Sequence, residues 1–165
     1  MRFLVTGASG LIGRKITEII LNRGDKLNVL TTNKKKIHKS KYMNFFYWNP
    51  EQDIIDQNCL LDVDIIINLA GSPIAQLWTK KAKKSILDSR LSSVKLLEKL
   101  ILKDKNNKVK QFACASAIGI YPSNIDIEFD EKSKHISDSF LGNTVNRWEE
   151  SVSYTHLTLP TMVQV

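Results

Sequence analysis

The sequence predicts a doubly wound α/β fold, a parallel sheet with helices on both faces. Three observations carry this expectation. Short apolar runs alternate with helical patterns along the chain. The chain opens on strand, glycine turn and helix: Phe3-Leu4-Val5-Thr6, then glycines at 7, 10 and 13, then Ile12, Ile16, Ile19 and Ile20 at helical spacing up to Arg23-Gly24. A continuous run, Ile65-Ile66-Ile67, suits a strand buried on both faces, as parallel strands are. The 165 residues suffice for one domain with a real core, and no internal repeat divides them.

The elements follow in order. The stretch Thr6-Gly7-Ala8-Ser9-Gly10-Leu11-Ile12-Gly13 joins the first strand, residues 2–6, to the first helix. Glycines here permit close backbone approach, and a helix N-terminus offers free N–H groups to a pyrophosphate. Gly7, Ser9, Gly10, Leu11, Ile12 and Gly13 are therefore candidate dinucleotide contacts. A second strand covers residues 26–30. An enzyme that selects NAD usually places a carboxylate at its end, for the ribose hydroxyls. This chain has Thr31, Thr32 and Asn33, then Lys34 to Lys36. Nothing there repels a 2′-phosphate, so NADP is preferred over NAD, with Thr32, Asn33 and Lys34 as its candidate site.

A third strand covers residues 44–48, with Trp48 in the core, and Asn49-Pro50 ends it. Residues 53–62 form a short helix or loop. The isoleucine strand, 64–69, runs into Leu69-Ala70-Gly71, small enough at the carboxyl edge for a cofactor to lie against backbone. A long helical region, about 76–102, is expected to break near the Lys80 to Lys84 cluster. Its apolar stripe is Leu87, Leu91, Val94, Leu97 and Ile101. A strand at 110–116 ends on Ser116, placed to meet a substrate. Residues 123–139 read as a long polar loop, of a length that is often functional. A further helix begins at Phe140.

Composition narrows the function classes. The net charge of +7 favours anionic partners. No nucleic-acid recognition module accompanies the lysine clusters, so nucleic-acid binding ranks third among the function classes and no such partner is expected. No stretch approaches a membrane span or a secretory signal. Cys59 and Cys114 lie far apart and out of metal-like spacing, and the three histidines are scattered. We read free thiols, no metal site and a cytoplasmic protein. A small-molecule substrate is expected, and the oligomeric state is open.

As an ordered set, the blocks resemble the short-chain dehydrogenase/reductase superfamily in its extended epimerase and dehydratase branch. They are the glycine opening, Asn68-Leu69-Ala70-Gly71, and Ser116 followed by Tyr121. The chain is most similar to an atypical, sugar-nucleotide epimerase-like subgroup, through Leu69 to Ile74, Asp88-Ser89-Arg90, and Phe140-Leu141 with Trp148-Glu149. The resemblance covers residues 1–151. It implies a Rossmann-type sheet and an NADP-dependent oxidoreductase or epimerase acting on a carbonyl or sugar-like substrate. The alternative is a dinucleotide-binding sensor or scaffold without turnover.

The departures concern catalysis. The superfamily's usual base is a tyrosine, with a lysine four residues later. Anchored on Trp148-Glu149, those positions hold Leu141 and Val145, and Ser89 falls where a helix asparagine is often found. Ser116 alone remains. Its hydroxyl can hydrogen-bond a substrate oxygen but cannot by itself supply the proton. Tyr121 and Arg90 stand as candidate replacements. After Glu150 the helical pattern gives way to Thr- and Pro-containing sequence. We therefore expect residues 152–165 to be a non-native tail and the sheet to lack its last strands. Such a chain is expected to show no turnover, weak dinucleotide binding and poor solubility.

Overall fold

The computed structural model describes residues 1–106, 108–153 and 161–164. The strands are β1 (Arg2–Thr6), β2 (Lys26–Thr31), β3 (Met43–Asn49), β4 (Ile54–Ile55), β5 (Ile65–Asn68), β6 (Gln111–Cys114) and β7 (Thr161–Gln164). The helices are α1 (Leu11–Asn22), α2 (Lys80–Lys103) and α3 (Phe140–Ser153). The sheet order is β4-β3-β2-β1-β5-β6-β7. Neighbours run parallel throughout, except for the two-residue β4 against β3. The strand order reverses about β1, so the carboxyl ends of β1 and β5 flank the crevice where open α/β sheets bind ligands.

Alternation along the strands sets which side chain meets which helix. Phe3 and Val5 of β1, with Leu27 and Val29 of β2, pack against Ile16 and Ile20 of α1. Leu4, Leu30, Phe46, Ile66 and Phe112 face the other way, onto Val94, Leu97 and Ile101 of α2 and Trp148 of α3. Both faces of the sheet are thereby covered. Trp48 is in this second core, as expected.

The structure differs from the sequence reading in three places. The lysine cluster does not break a helix: α2 starts there, because the Thr79 side chain accepts from the Ala82 N–H and caps it. The stripe of α2 is also rotated. Leu87 and Leu91 are half-buried, and the buried line runs through Ile86, Arg90, Val94 and Leu97, placing a guanidinium on an apolar face. Finally, Val152 is buried in the core beside Trp148 rather than outside the fold, and β7 occupies the position beside β6 that the sequence reading leaves empty. The rest of the expected tail, residues 154–160 and 165, lies outside the described residues.

Candidate functional site

Thr6 sits at the end of β1, fully buried, and its hydroxyl joins the two central strands. It donates to Asn68 Oδ1 at 2.7 Å and accepts from the Leu69 and Ala70 backbone N–H groups, each at 3.0 Å. The glycine turn is thereby held against the Leu69-Ala70-Gly71 segment. Gly7 has φ +66°, and a Cβ there would lie 2.6 Å from the Leu69 carbonyl oxygen. A Cβ on Gly13 would lie 2.2 Å from the Gly7 carbonyl oxygen. Neither position admits a side chain without moving backbone. The Gly10 N–H closes the turn on the Gly7 carbonyl at 3.0 Å. Gly10 also caps α1 without a side-chain hydrogen bond, and the first turn holds no carboxylate. The first turn of α1 thus carries neither a side-chain cap at Gly10 nor a carboxylate, which fits the pyrophosphate of a dinucleotide.

A cavity of about 570 Å³ extends from this cradle across the ends of β2 and β3. Its lining includes Ser9, Ala70 and Gly71 together with Thr32, Lys36 and His38. Leu11 and Ile12 are exposed at the start of α1. Of the basic stretch proposed from sequence, Thr32 lines the cavity. The Asn33 side chain instead accepts from the Lys35 N–H at 3.0 Å, and the Lys34 ammonium lies 4.8 Å over the Tyr47 ring. Lys36 and His38 were missed. The His38 ring stacks on Phe45 at 4.5 Å, and its Nδ1 lies 2.9 Å from the Lys36 carbonyl oxygen. Spacing offered no signal for them: residues two apart share a side of an extended chain, but residues 34–36 form a 3-10 turn that parts Lys34 from Lys36 and His38.

A second cavity, about 520 Å³, lies beyond the end of β6 and is lined by Ser116, Ile118, Tyr121, Glu131, His135 and Glu149. The structure brings Ser116 and Tyr121 together here. The Ser116 hydroxyl donates to Glu149 Oε1 of α3. The Tyr121 hydroxyl donates to the Asp130 carbonyl at 2.9 Å, and its ring stacks on Phe129 at 5.4 Å. Leu141 reaches the same loop: a Cβ on Gly119 would lie 3.3 Å from Leu141 Cβ. Val145, one turn on, is buried.

Arg90 lines neither of these cavities. Its guanidinium donates to the Ile86 carbonyl at 2.8 Å and the Ser72 carbonyl at 3.3 Å, and lies 5.1 Å over the Trp148 ring. Burial lowers its pKa from the usual arginine value. It braces the Gly71-Ser72 segment against α3, close enough that a Cβ on Gly71 would lie 2.9 Å from its Cζ. Cys59 and Cys114 are buried free thiols. Burial pushes the pKa of both up, that of Cys114 to about 11. Among the described residues, no helix is long and apolar enough to cross a membrane.

Comparison with known proteins agrees with this architecture. Residues 3–144 match the NAD dependent epimerase/dehydratase family. Epimerase family protein YfhF of Bacillus subtilis is 33% identical over 150 residues, which are 91% of this chain and 48% of that protein. A Staphylococcus aureus epimerase family protein, SAOUHSC_00792, is 29% identical over 150 residues. The chain thus spans about half the length of these curated relatives. The crystal structure of human epimerase family protein SDR39U1 with NADPH superposes with a TM-score of 0.74 at 26% identity, covering 99% of this chain and 52% of that one. A Bacillus cereus UDP-glucuronic acid 4-epimerase in complex with NAD shares the fold, with a TM-score of 0.75 at 21% identity, over 99% of this chain and 55% of that one. The chain belongs to the NAD dependent epimerase/dehydratase family, within the short-chain dehydrogenase/reductase superfamily.

Proposed function

We propose that this family member is an NADP(H)-dependent oxidoreductase or epimerase of the extended short-chain type, acting in the cytoplasm on a carbonyl or sugar-like substrate. The observation that carries the reading is the cradle at Gly7 and Gly13, continuous with a cavity whose lining includes Thr32, Lys36 and His38 and no carboxylate. The pyrophosphate rests on the turn from Gly7 to Ile12. The 2′-phosphate falls to Thr32, Lys36 and His38, because a basic side chain inside the cavity can reach it and Lys34, over Tyr47, cannot without leaving its ring. The substrate occupies the second cavity, against Ser116. The NADPH found with the human relative accords with this preference. Hydride exchange with the substrate is the chemistry the dinucleotide supplies.

Calorimetric titration with NADPH and NADH tests the reading. NADPH is expected to bind at least about tenfold tighter, the effect of one charge-assisted contact. The double variant Lys36→Ala/His38→Ala should erase that gap and leave NADH affinity unchanged. NADH binding as tight as NADPH overturns the preference, and failure of both to bind a chain extended to the length of its relatives overturns the cofactor reading.

A further inference from the structure

The polarity of one hydrogen bond decides what Ser116 can do. A serine hydroxyl has a single proton and two acceptor lone pairs, and an ionised carboxylate can only accept. Ser116 donates its proton to Glu149 Oε1, so its oxygen faces the second cavity as an acceptor. An acceptor is matched by a substrate hydroxyl and mismatched by a carbonyl oxygen. The two residues that conventionally supply and tune the proton are apolar here. Leu141 packs on the Gly119 position and Val145 is buried, while Glu149 lies a further turn along the same helix. Tyr121 does not replace them, since its proton is held by the Asp130 carbonyl.

We propose that Glu149 is the positioning residue for Ser116, holding its hydroxyl as an acceptor so that the cavity receives a substrate alcohol and passes its proton inward. The proposal rests on the substrate assignment made above and adds the group that is recognised. In the oxidative direction the substrate O–H bond breaks and its proton goes to Ser116 Oγ, while the proton already on Ser116 passes to Glu149. The C–H electron pair leaves as hydride to the oxidised nicotinamide ring. The products are a carbonyl compound, reduced dinucleotide and protonated Glu149, which is half-buried and returns its proton to water. Other ionisable groups bear on the pair. Tyr121, Glu131 and His135 face it from the loop before α3, and Arg90 approaches from α2 through Trp148. On α3 itself Arg147 and Glu150 are exposed.

The test uses this chain without dinucleotide. In a Ser116→Cys variant the alkylation rate with iodoacetamide reports the thiolate at that position. Cys59 and Cys114 stay slow because they are buried with raised pKa values. A carboxylate in contact disfavours the thiolate, so S116C/E149Q should react faster than S116C at pH 8, on the order of tenfold. S116C/E150Q, which alters the exposed carboxylate next along α3, should react like S116C. Equal rates for S116C and S116C/E149Q overturn the proposal. This readout needs no bound cofactor, so a failed dinucleotide titration strikes the preceding reading and leaves the pair standing.

Discussion

The two cavities are built from different materials. The glycine end of the one beside β1 is shaped by backbone: Gly7 and Gly13 leave room for nothing larger than hydrogen, and the Thr6 hydroxyl fixes the strand ends around them. The one beside β6 is shaped by side chains, Ser116 from the sheet and Glu149 from α3, separated by 33 residues. A backbone site tolerates change in its surroundings but not in its glycines. A side-chain site can be re-equipped residue by residue, and the nearby α3 positions 141 and 145 carry the apolar Leu141 and Val145. The difference teaches why a glycine turn and the side-chain cavity beside it can change independently.

The largest effect should come from the cradle. Gly13→Val forces bulk against the Gly7 carbonyl, and the helix cannot retreat without unpacking Ile16 and Ile20. We expect loss of measurable dinucleotide binding in calorimetry and about 3 kcal/mol of destabilisation in urea unfolding, at the upper end of ordinary overpacking. Retained binding would mean that the cradle is not backbone-made, and the contrast between the cavities would collapse.

Thr6→Val should come next. It keeps the shape but strands two N–H groups and the Asn68 amide oxygen at a buried strand end. A cost of about 2–3 kcal/mol is expected, since each unsatisfied buried group costs about 1–3 kcal/mol. Thr6→Ser, which restores the hydroxyl, should recover most of it. A Thr6→Val protein as stable as the parent would show that the hydroxyl is not what joins β1 to β5.

Much of the fold was legible and much of the second cavity was not, for physical reasons. Each of the five expected strands is an apolar run with polar or turn residues at its end, and all five appear within a residue or two of where the pattern puts them. The glycine spacing was legible because a close approach leaves only one residue type possible. Lys36 and His38 were lost among basic neighbours, because composition does not say which side of a short turn a residue faces. Arg90 entered through the Asp88-Ser89-Arg90 block of the resemblance, and no local pattern foretold that the Ile86 and Ser72 carbonyls would satisfy its donors. The Ser116–Glu149 pair bridges two elements, and a spacing of 33 residues carries no local signal.

The smallest effect lies at the amino ends of the two central strands. The Arg2 backbone N–H donates to Asp64 Oδ2 at 2.9 Å and lowers that carboxyl's pKa, with Lys110 adding to the shift. A depressed folded-state pKa means that the unfolded chain binds the proton first. Stability from this contact is therefore complete above the unfolded value, about 4, and is lost as pH falls through the lower folded one. Urea unfolding from pH 6 to 2.5 should decline at the acid end, and Asp64→Asn should flatten part of that decline. An unchanged slope would remove Asp64 as a source of it, and neither cavity should respond.

The Thr6 clasp also has a consequence for biosynthesis. Its partners lie 62 to 64 positions downstream, beyond α1, β2 and β3. Ordering of the cradle therefore waits on closure of a long loop, a slow class of event. A nascent chain leaving the ribosome carries its glycine turn into solution well before Asn68 and Ala70 emerge to fasten it. During that interval the most constrained part of the finished molecule is among the least constrained parts of the growing one.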